Sequence, residues 1–416
     1  MSNYGQDTPI DFYPNTNGTV DIFWQDRGEA ASSWNLTTHT SITDASISAT
    51  INLPSSIEQS GRFLGVSKKE STNTYFLAYS ADNDFAVRDS NGNCEQVNGS
   101  SDNCNGAFWI TGFSTDGFSD FDTLIFGNVD LTVSGVHGET TKGNPGQAST
   151  GVLSYHETTD KVVIYAGHKQ RWSDDVRHQA VWLGTIDSVG TLDTAMSGWY
   201  SSHNFDQRIL LASDDFIYTL AHGDAFPRSL QLGQWDITAL SHNYTLEYYE
   251  IENGSTGSNT TLTDTGTLAE LGSGVFAVAF ATEDNRDSRD VRLQVISGVT
   301  SNTTNIDTDV WLTEYNNLRM AANGIKVASA GDEHIIVAWN AYQGSTPDNS
   351  TATGDYVNTT IALYDLTGEL VDSMTLDDQL LPTQPFRQSA DGNSVIWVTA
   401  SENAELIIHS IDISAL

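Results

Sequence analysis

Positive charge is scarce in this chain. Its 416 residues carry 18 Lys plus Arg against 54 Asp plus Glu, a formal net charge of −36. Phosphate-bearing polymers need clustered cations, so neither nucleic acid nor an anionic membrane surface is an expected partner. So acidic a surface suits a saline or calcium-rich exterior, or simply a highly soluble protein. Long apolar runs are missing too: no stretch of 18 apolar residues occurs, and membrane insertion by a helix is not expected. Cysteine is nearly absent. The two present, Cys94 and Cys104, lie in a polar stretch rich in Gly, Asn and Ser and lack the Cys-x-x-Cys spacing of a metal site. In an exported protein they would close a small disulfide loop, and in a reducing cytosol they would be free thiols; the disulfide is the expectation. Several catalytic signatures are also lacking: no Gly-x-Ser-x-Gly elbow, no Gly-rich phosphate loop and no His-Glu-x-x-His.

What is present is a strand pattern that recurs about every 58 residues. Its clearest copies are Val162–Ala166, Phe216–Leu220, Val275–Phe280, Ile335–Trp339 and Val395–Val398, with earlier ones at Val20–Trp24 and Tyr75–Tyr79. Centres at Ile22, Leu77, Ile164, Tyr218, Val278, Val337 and Trp397 are separated by 55, 87, 54, 60, 59 and 60 residues. A repeat of that length built from short strands resembles the blade of a β-propeller, and the resemblance covers the whole chain. The expected fold is all-β, a single domain over residues 1–416 with seven four-stranded blades. The approximate blades are 14–58, 59–136, 148–200, 205–253, 265–316, 322–378 and 385–416. The last unit runs out after its third strand. Closure of the ring is therefore expected from an N-terminal strand at 8–13, around Pro9–Tyr13, completing that blade. The 87-residue step marks an insertion at 80–106 in the second blade, which holds both cysteines. Trp-Asp repeats and paired kelch glycines are absent, so the resemblance is to the architecture and names no family. Ser389–Trp397 resembles the Asp-box turn of sialidase-like propellers with its Gly and Trp displaced by one position; it occurs once and reads as a hairpin.

In a propeller, the loops from second to third strands and from fourth strands to the next blade share one face. That face gathers His168, Arg171, Trp172, Asp174 and Asp175 from the third unit. The fourth contributes His203, Asp206, Arg208, His222, Asp224 and Arg228, and the fifth Asp284, Arg286, Asp287 and Arg289. His168, Arg171, Trp172, Asp206, Asp224 and Arg286 are the candidate ligand contacts. Arg binds carboxylate or sulfate through two parallel hydrogen bonds, and an exposed aromatic ring stacks on a sugar. If the protein is a lyase, His203, His222 or Tyr200 would be the base that takes the proton, and Arg208 or Arg228 the clamp for a uronate carboxylate. Paired carboxylates among Asp174, Asp206, Asp224 and Asp284 would instead suit hydrolysis. The plainer alternative is that these charges pair with each other between blades and the His satisfy backbone groups. The Asp-Val-Arg echo at Asp175–Arg177 and Asp290–Arg292 is read that way, with each Arg pairing to the acidic loop before it.

No cofactor is certain. Calcium is the candidate, because Asp89, Asn91, Asn93 and Glu95 place oxygen ligands at alternate positions, although the stretch is not an EF-hand. Nine Asn-x-Ser/Thr sequons occur, at Asn17, Asn35, Asn98, Asn243, Asn253, Asn259, Asn302, Asn349 and Asn358. Met1–Gly5 has neither the basic start nor the apolar core of a leader, and export is expected with the leader removed. The sequence thus points to an extracellular or cell-surface recognition or scaffolding propeller that binds a glycan or another extracellular protein through the loops of blades three to five and the disulfide-bearing insertion. Two rivals stand beside it: a lyase or hydrolase acting on an acidic polysaccharide, and a self-associating structural subunit of a filament or surface layer.

Overall fold

The computed structural model describes residues 10–26, 33–39, 47–52, 62–82, 105–114, 119–126, 151–171, 177–202, 204–223, 229–250, 263–283, 286–315, 320–344, 354–381, 384–400 and 406–416. They form a β-propeller of seven sheets in chain order, six of them regular four-stranded blades. Blade one comprises Ile10–Pro14, Val20–Asp26, Ser33–His39 and Ile47–Asn52. Blade two has Arg62–Lys69, Thr74–Asp82, Asn105–Ser114 and Ser119–Phe126. In blade three they are Gly151–His156, Lys161–Arg171, Arg177–Asp187 and Leu192–Ser202. Blade four has Asn204–Leu211, Phe216–Gly223, Ser229–Asp236 and Ser241–Glu250. Blade five follows with Thr263–Gly272, Val275–Thr282, Asp290–Ser297 and Asn305–Trp311. Blade six spans Met320–Ala330, His334–Gln343, Asp355–Asp365 and Leu370–Leu376.

The buried apolar residues fall into seven clusters, and each cluster joins one adjacent pair of sheets. Alternate residues of a second strand therefore serve opposite interfaces. In Lys161–Arg171, Val162 and Ile164 pack towards blade two while Val163 and Tyr165 pack towards blade four. Both faces are buried, so these strands read as continuous apolar runs rather than alternating ones. That is why they carry the visible repeat. Fourth strands face solvent, as in Ser241–Glu250 and Leu370–Leu376. First strands of blades three to six, with Pro385–Gln388, line an axial cavity of about 370 Å³.

The structure corrects the expected closure. Ile10–Pro14 pairs with Val20–Asp26, with Phe12 opposite Ile22, and so begins blade one instead of finishing the last sheet. The reason is local. Asn15 donates its backbone N–H to Thr19 O at 2.8 Å, and Gly18 at φ +81° allows the tight turn of Asn15-Thr16-Asn17-Gly18. A short hairpin costs far less loop entropy than an exchange between the two ends of the chain. The seventh sheet is instead three lanes wide. Ser394–Ala400 pairs on one side with Leu406–Asp412 and on the other with two short strands, Gln379–Leu380 and Arg387–Gln388. The ring is closed by side chains. Phe12, Val20 and Ile22 pack on Ile396 and Val398. Gln384 donates to Ile10 O at 2.6 Å, and Arg387 pairs with Asp11 at 3.2 Å.

Ser389–Ser394 is the hairpin read from sequence: the Asp391 carboxylate accepts from Ser389 Oγ at 2.6 Å and Asn393 N at 3.1 Å. Second and third strands of blade two end at Asp82 and restart at Asn105. Cys94, Cys104, Asp89, Asn91, Asn93 and Glu95 lie between them, outside the described residues. No helix among the described residues is long and apolar enough to cross a membrane. Of the sequons, Asn17, Asn243 and Asn302 are exposed, Asn358 is half-buried in a strand, and Asn35 lies in Ser33–His39. The other four, Asn98, Asn253, Asn259 and Asn349, fall outside the described residues.

Candidate ligand-binding site

The candidate residues that are described belong to one end of the ring, where second strands finish and third strands begin. His168 and Arg171 lie on the second strand of blade three, with Arg171 opposite Arg177. Tyr200 is on the outermost strand of that blade, while Asp206 and Arg208 are on the innermost strand of blade four. Trp172, His203, Asp224 and Arg228 lie outside the described residues.

Arg208 and His222 are brought onto paired strands. Arg208 faces Leu220 and His222 faces Phe205, across a bulge between Phe205 and Arg208. Both are buried, at 7% and 1% exposure. Arg208 Nη1 donates to Gln207 O at 2.9 Å. Burying a guanidinium is costly unless its donors are met, so its place on an innermost strand is a constraint that few residues of this acidic chain are under. Tyr200, on the outer strand of the preceding blade, does not share that strand pair.

Blade five supplies the most defined arrangement. The backbone N–H of Arg286 donates to Glu283 O at 3.0 Å, which folds the connection between the second and third strands into a turn. The turn delivers the Arg286 guanidinium over the Trp311 ring, 4.0 Å from its centroid. Trp311 ends the fourth strand of the same blade. Stacking on the electron-rich face of an indole holds the guanidinium plane without consuming its hydrogen-bond donors.

Arg292 approaches the same ring at 4.9 Å and the Tyr249 ring of blade four at 4.9 Å. Its guanidinium forms a two-point pair with Asp309, 2.6 Å from Nε to Oδ1 and 2.6 Å from Nη2 to Oδ2, and also donates to the Tyr249 hydroxyl. This corrects the sequence expectation for the Asp-Val-Arg echo. The register sets Arg292 opposite Trp311, which makes Asp309 its diagonal neighbour across the strands.

Closer to the axis lies Arg289, 2% exposed, with Glu283 and Asp264 within electrostatic range. Burial depresses its pKa and the two carboxylates oppose that shift. Burial likewise raises the Glu283 carboxyl, against the pull of Arg289. Asp264 is held by the backbone N–H groups of Gly324 at 2.5 Å and Ile325 at 3.2 Å, from the first strand of blade six. Among the described residues no group of three metal-ligating side chains occurs.

The sequence singles out Arg286 but not Trp311, whose ring lies 4.0 Å from the guanidinium. The only signal for Trp311 was its position two residues after Asp309, and that acquires meaning only once the strand register is known.

No protein-family model and no curated protein matches the chain. Its likeness is to solved structures. An ulvan lyase of a polysaccharide lyase family, bound to a glucuronate–rhamnose-3-sulfate chain, matches with TM-score 0.51 at 8% identity, over 99% of this chain and 95% of that one. A prolyl endopeptidase matches with TM-score 0.50 at 8% identity, over 99% of this chain and 49% of that one. A puromycin-hydrolysing peptidase of Mycobacterium tuberculosis gives 0.50 at 8%, over 100% and 54%. The chain thus spans about half the length of the two peptidases. At such identity the likeness is one of fold: the propeller is shared by proteins with different chemistry.

Proposed function

We propose that this is an extracellular propeller that recognises an acidic glycan with the loop-bearing end of blades four and five. The observation that carries the reading is Arg286. In a chain with 18 Lys plus Arg and a net charge of −36, one guanidinium is stacked 4.0 Å over an indole at the loop-bearing end, partly exposed to solvent. An oriented cation beside an aromatic ring on an otherwise repulsive surface selects for an anionic group and positions it, which is what recognition of a uronate or a sulfated sugar requires. The half-buried state of the site removes part of the screening that weakens surface pairs.

A second reading is favoured by Arg208 and His222 on their paired strands: elimination from a uronate. With the strand pair opened to substrate from its 7% and 1% exposure, Arg208 would neutralise the sugar carboxylate, which acidifies the adjacent C–H; His222 would take that proton, a C=C bond would form as the glycosidic C–O bond breaks, and the departing oxygen would take a proton from water. The ulvan lyase shares the fold and supports the plausibility of that chemistry on such a scaffold. Export, the Cys94–Cys104 disulfide, and glycosylation at exposed Asn17, Asn243 and Asn302 belong to the same proposal.

The test is a screen of uronate-bearing and sulfated polysaccharides, read for retention and for ultraviolet absorbance of unsaturated uronates. Retention that falls in Arg286→Ala supports recognition. Absorbance that grows with wild type and stops with His222→Ala makes the protein a lyase. Absence of both signals across the panel removes the glycan reading.

A further inference from the structure

Resting on the recognition reading, we infer that Asp290 is the positioning residue of the site: one of its carboxylate oxygens builds the scaffold and the other aims Arg286, presenting the Nε–Nη2 edge of that guanidinium to a single oxyanion of the ligand.

Asp290 opens the third strand of blade five and is 1% exposed. A buried carboxylate is expensive unless its lone pairs are met. Here the two oxygens have separate tasks. Oδ1 accepts from Thr313 Oγ1 at 2.7 Å and from the backbone N–H of Tyr315 at 3.0 Å. Both partners sit in the segment that leads to blade six, and the Tyr315 hydroxyl accepts from Trp339 of blade six at 3.0 Å. Oδ1 therefore ties the turn to the neighbouring blade. Oδ2 accepts from Ser288 Oγ at 2.8 Å and from Arg286 Nη1 at 3.4 Å.

The geometry of Arg286 follows from those bonds. Among the described residues its hydrogen bonds leave from Nη1 alone, to Asp290 Oδ2 and to Thr313 O, each at 3.4 Å. With Nη1 turned towards Asp290 and the plane fixed on Trp311, the Nε and Nη2 donors remain as a parallel fork. A fork of that kind matches the two oxygens of a carboxylate or of one face of a sulfate. Long bonds at 3.4 Å orient the group without satisfying it fully, which leaves the guanidinium attractive to a stronger acceptor.

Two effects of Asp290 oppose each other, and that makes the inference testable. Its charge lies beside Arg286 and weakens attraction for an anion; its geometry aims the fork. If aiming dominates, Asp290→Asn weakens binding. If charge dominates, the same variant tightens it.

The experiment uses the full chain and affinity electrophoresis through gels containing polygalacturonate, dextran sulfate or neutral dextran, with thermal melting as the control for folding. Polygalacturonate and dextran sulfate separate carboxylate from sulfate as the oxyanion. Asp290→Asn keeps the Oδ1 contacts and is expected to lose about tenfold in affinity for the retained polyanion, the scale of a charge-assisted hydrogen bond. Ser288→Ala, which takes a partner from Oδ2 without altering any charge, is expected to shift affinity the same way, with a lowered melt that still leaves the chain folded at the assay temperature. Arg286→Lys retains the charge but not the fork, and should bind as poorly as Arg286→Ala.

Wild-type or tighter binding by D290N, or wild-type binding by R286K, overturns the positioning role while leaving recognition intact. A null effect of R286A on either polyanion sinks the recognition reading itself, so the two failures are distinguishable.

Discussion

The join between the seventh sheet and blade one should be the ring's most easily broken interface, and Asp11 is the place to test it. Asp11 is 6% exposed and serves three partners: its own neighbour Phe12 N at 2.8 Å, Val66 N of blade two at 3.1 Å, and Arg387 Nη2 of the seventh sheet at 3.2 Å. It thus links three consecutive sheets. Replacing it by Ala leaves the Val66 donor and the guanidinium without their acceptor. Breaking a buried ion pair costs about 3–5 kcal/mol. Arg387 retains 21% side-chain exposure, so the lower end applies, about 3 kcal/mol with the loss of the Val66 bond included. The assay is urea unfolding followed by tryptophan fluorescence, with hydrogen exchange mapped along the chain. Exchange should accelerate first in Ile10–Pro14 and Arg387–Gln388, because among the described residues no strand crosses the join to protect them. A loss below about 1 kcal/mol, or exchange that rises evenly around the ring, would refute the account of closure by side chains.

Further tests address other parts of the molecule. Lys68→Met should destabilise by about 3 kcal/mol, because Asp21, 1% exposed and 3.1 Å from Lys68 Nζ, would lose that cation while the Tyr75 hydroxyl at 2.6 Å remains as a neutral donor. Adding Asp21→Asn should recover most of that, and a single variant as stable as the double would contradict it. His409 stacks on Trp397 at 5.0 Å, and burial lowers its pKa despite Asp378, which raises it. The folded value lies below the unfolded one, so the contribution is present above about pH 6.5 and is lost as pH falls through the folded pKa. Urea midpoints should therefore drop on acidification, and His409→Phe should flatten the drop; a parallel curve would mean other groups control it. For the Asp89–Glu95 stretch, millimolar calcium should raise the melting temperature and chelator reverse it, a response removed by Asp89→Asn with Glu95→Gln. Reductant should lower the melting temperature if Cys94 and Cys104 are bonded, and a flat response to both reagents discards both assignments.

The second strands were legible because their physics is local and repetitive. Val275–Phe280 and Ile335–Trp339 are apolar on both faces wherever the ring places them, so their runs survive in one dimension. Hairpins were legible for the same reason: Asp365 accepts from Thr367 N at 2.8 Å and Glu369 N at 2.9 Å, and Gly368 takes φ +82°, all within five residues. The interrupted inner edge of the seventh sheet was not legible. Gln379–Leu380 and Arg387–Gln388 are two residues each, too short for any period, and acquire their identity as strands from Ser394–Ala400.

By itself, then, the sequence determined that this chain is an all-β propeller of four-stranded blades and that its cations are few. The tertiary structure alone decided which terminus pairs with what, that Arg292 binds Asp309, and that Arg286 rests on Trp311. The difference is physical. Burial and turn formation depend on residues close in the chain, whereas the partner of a charge is whichever group the strand register carries to within a few ångströms of it.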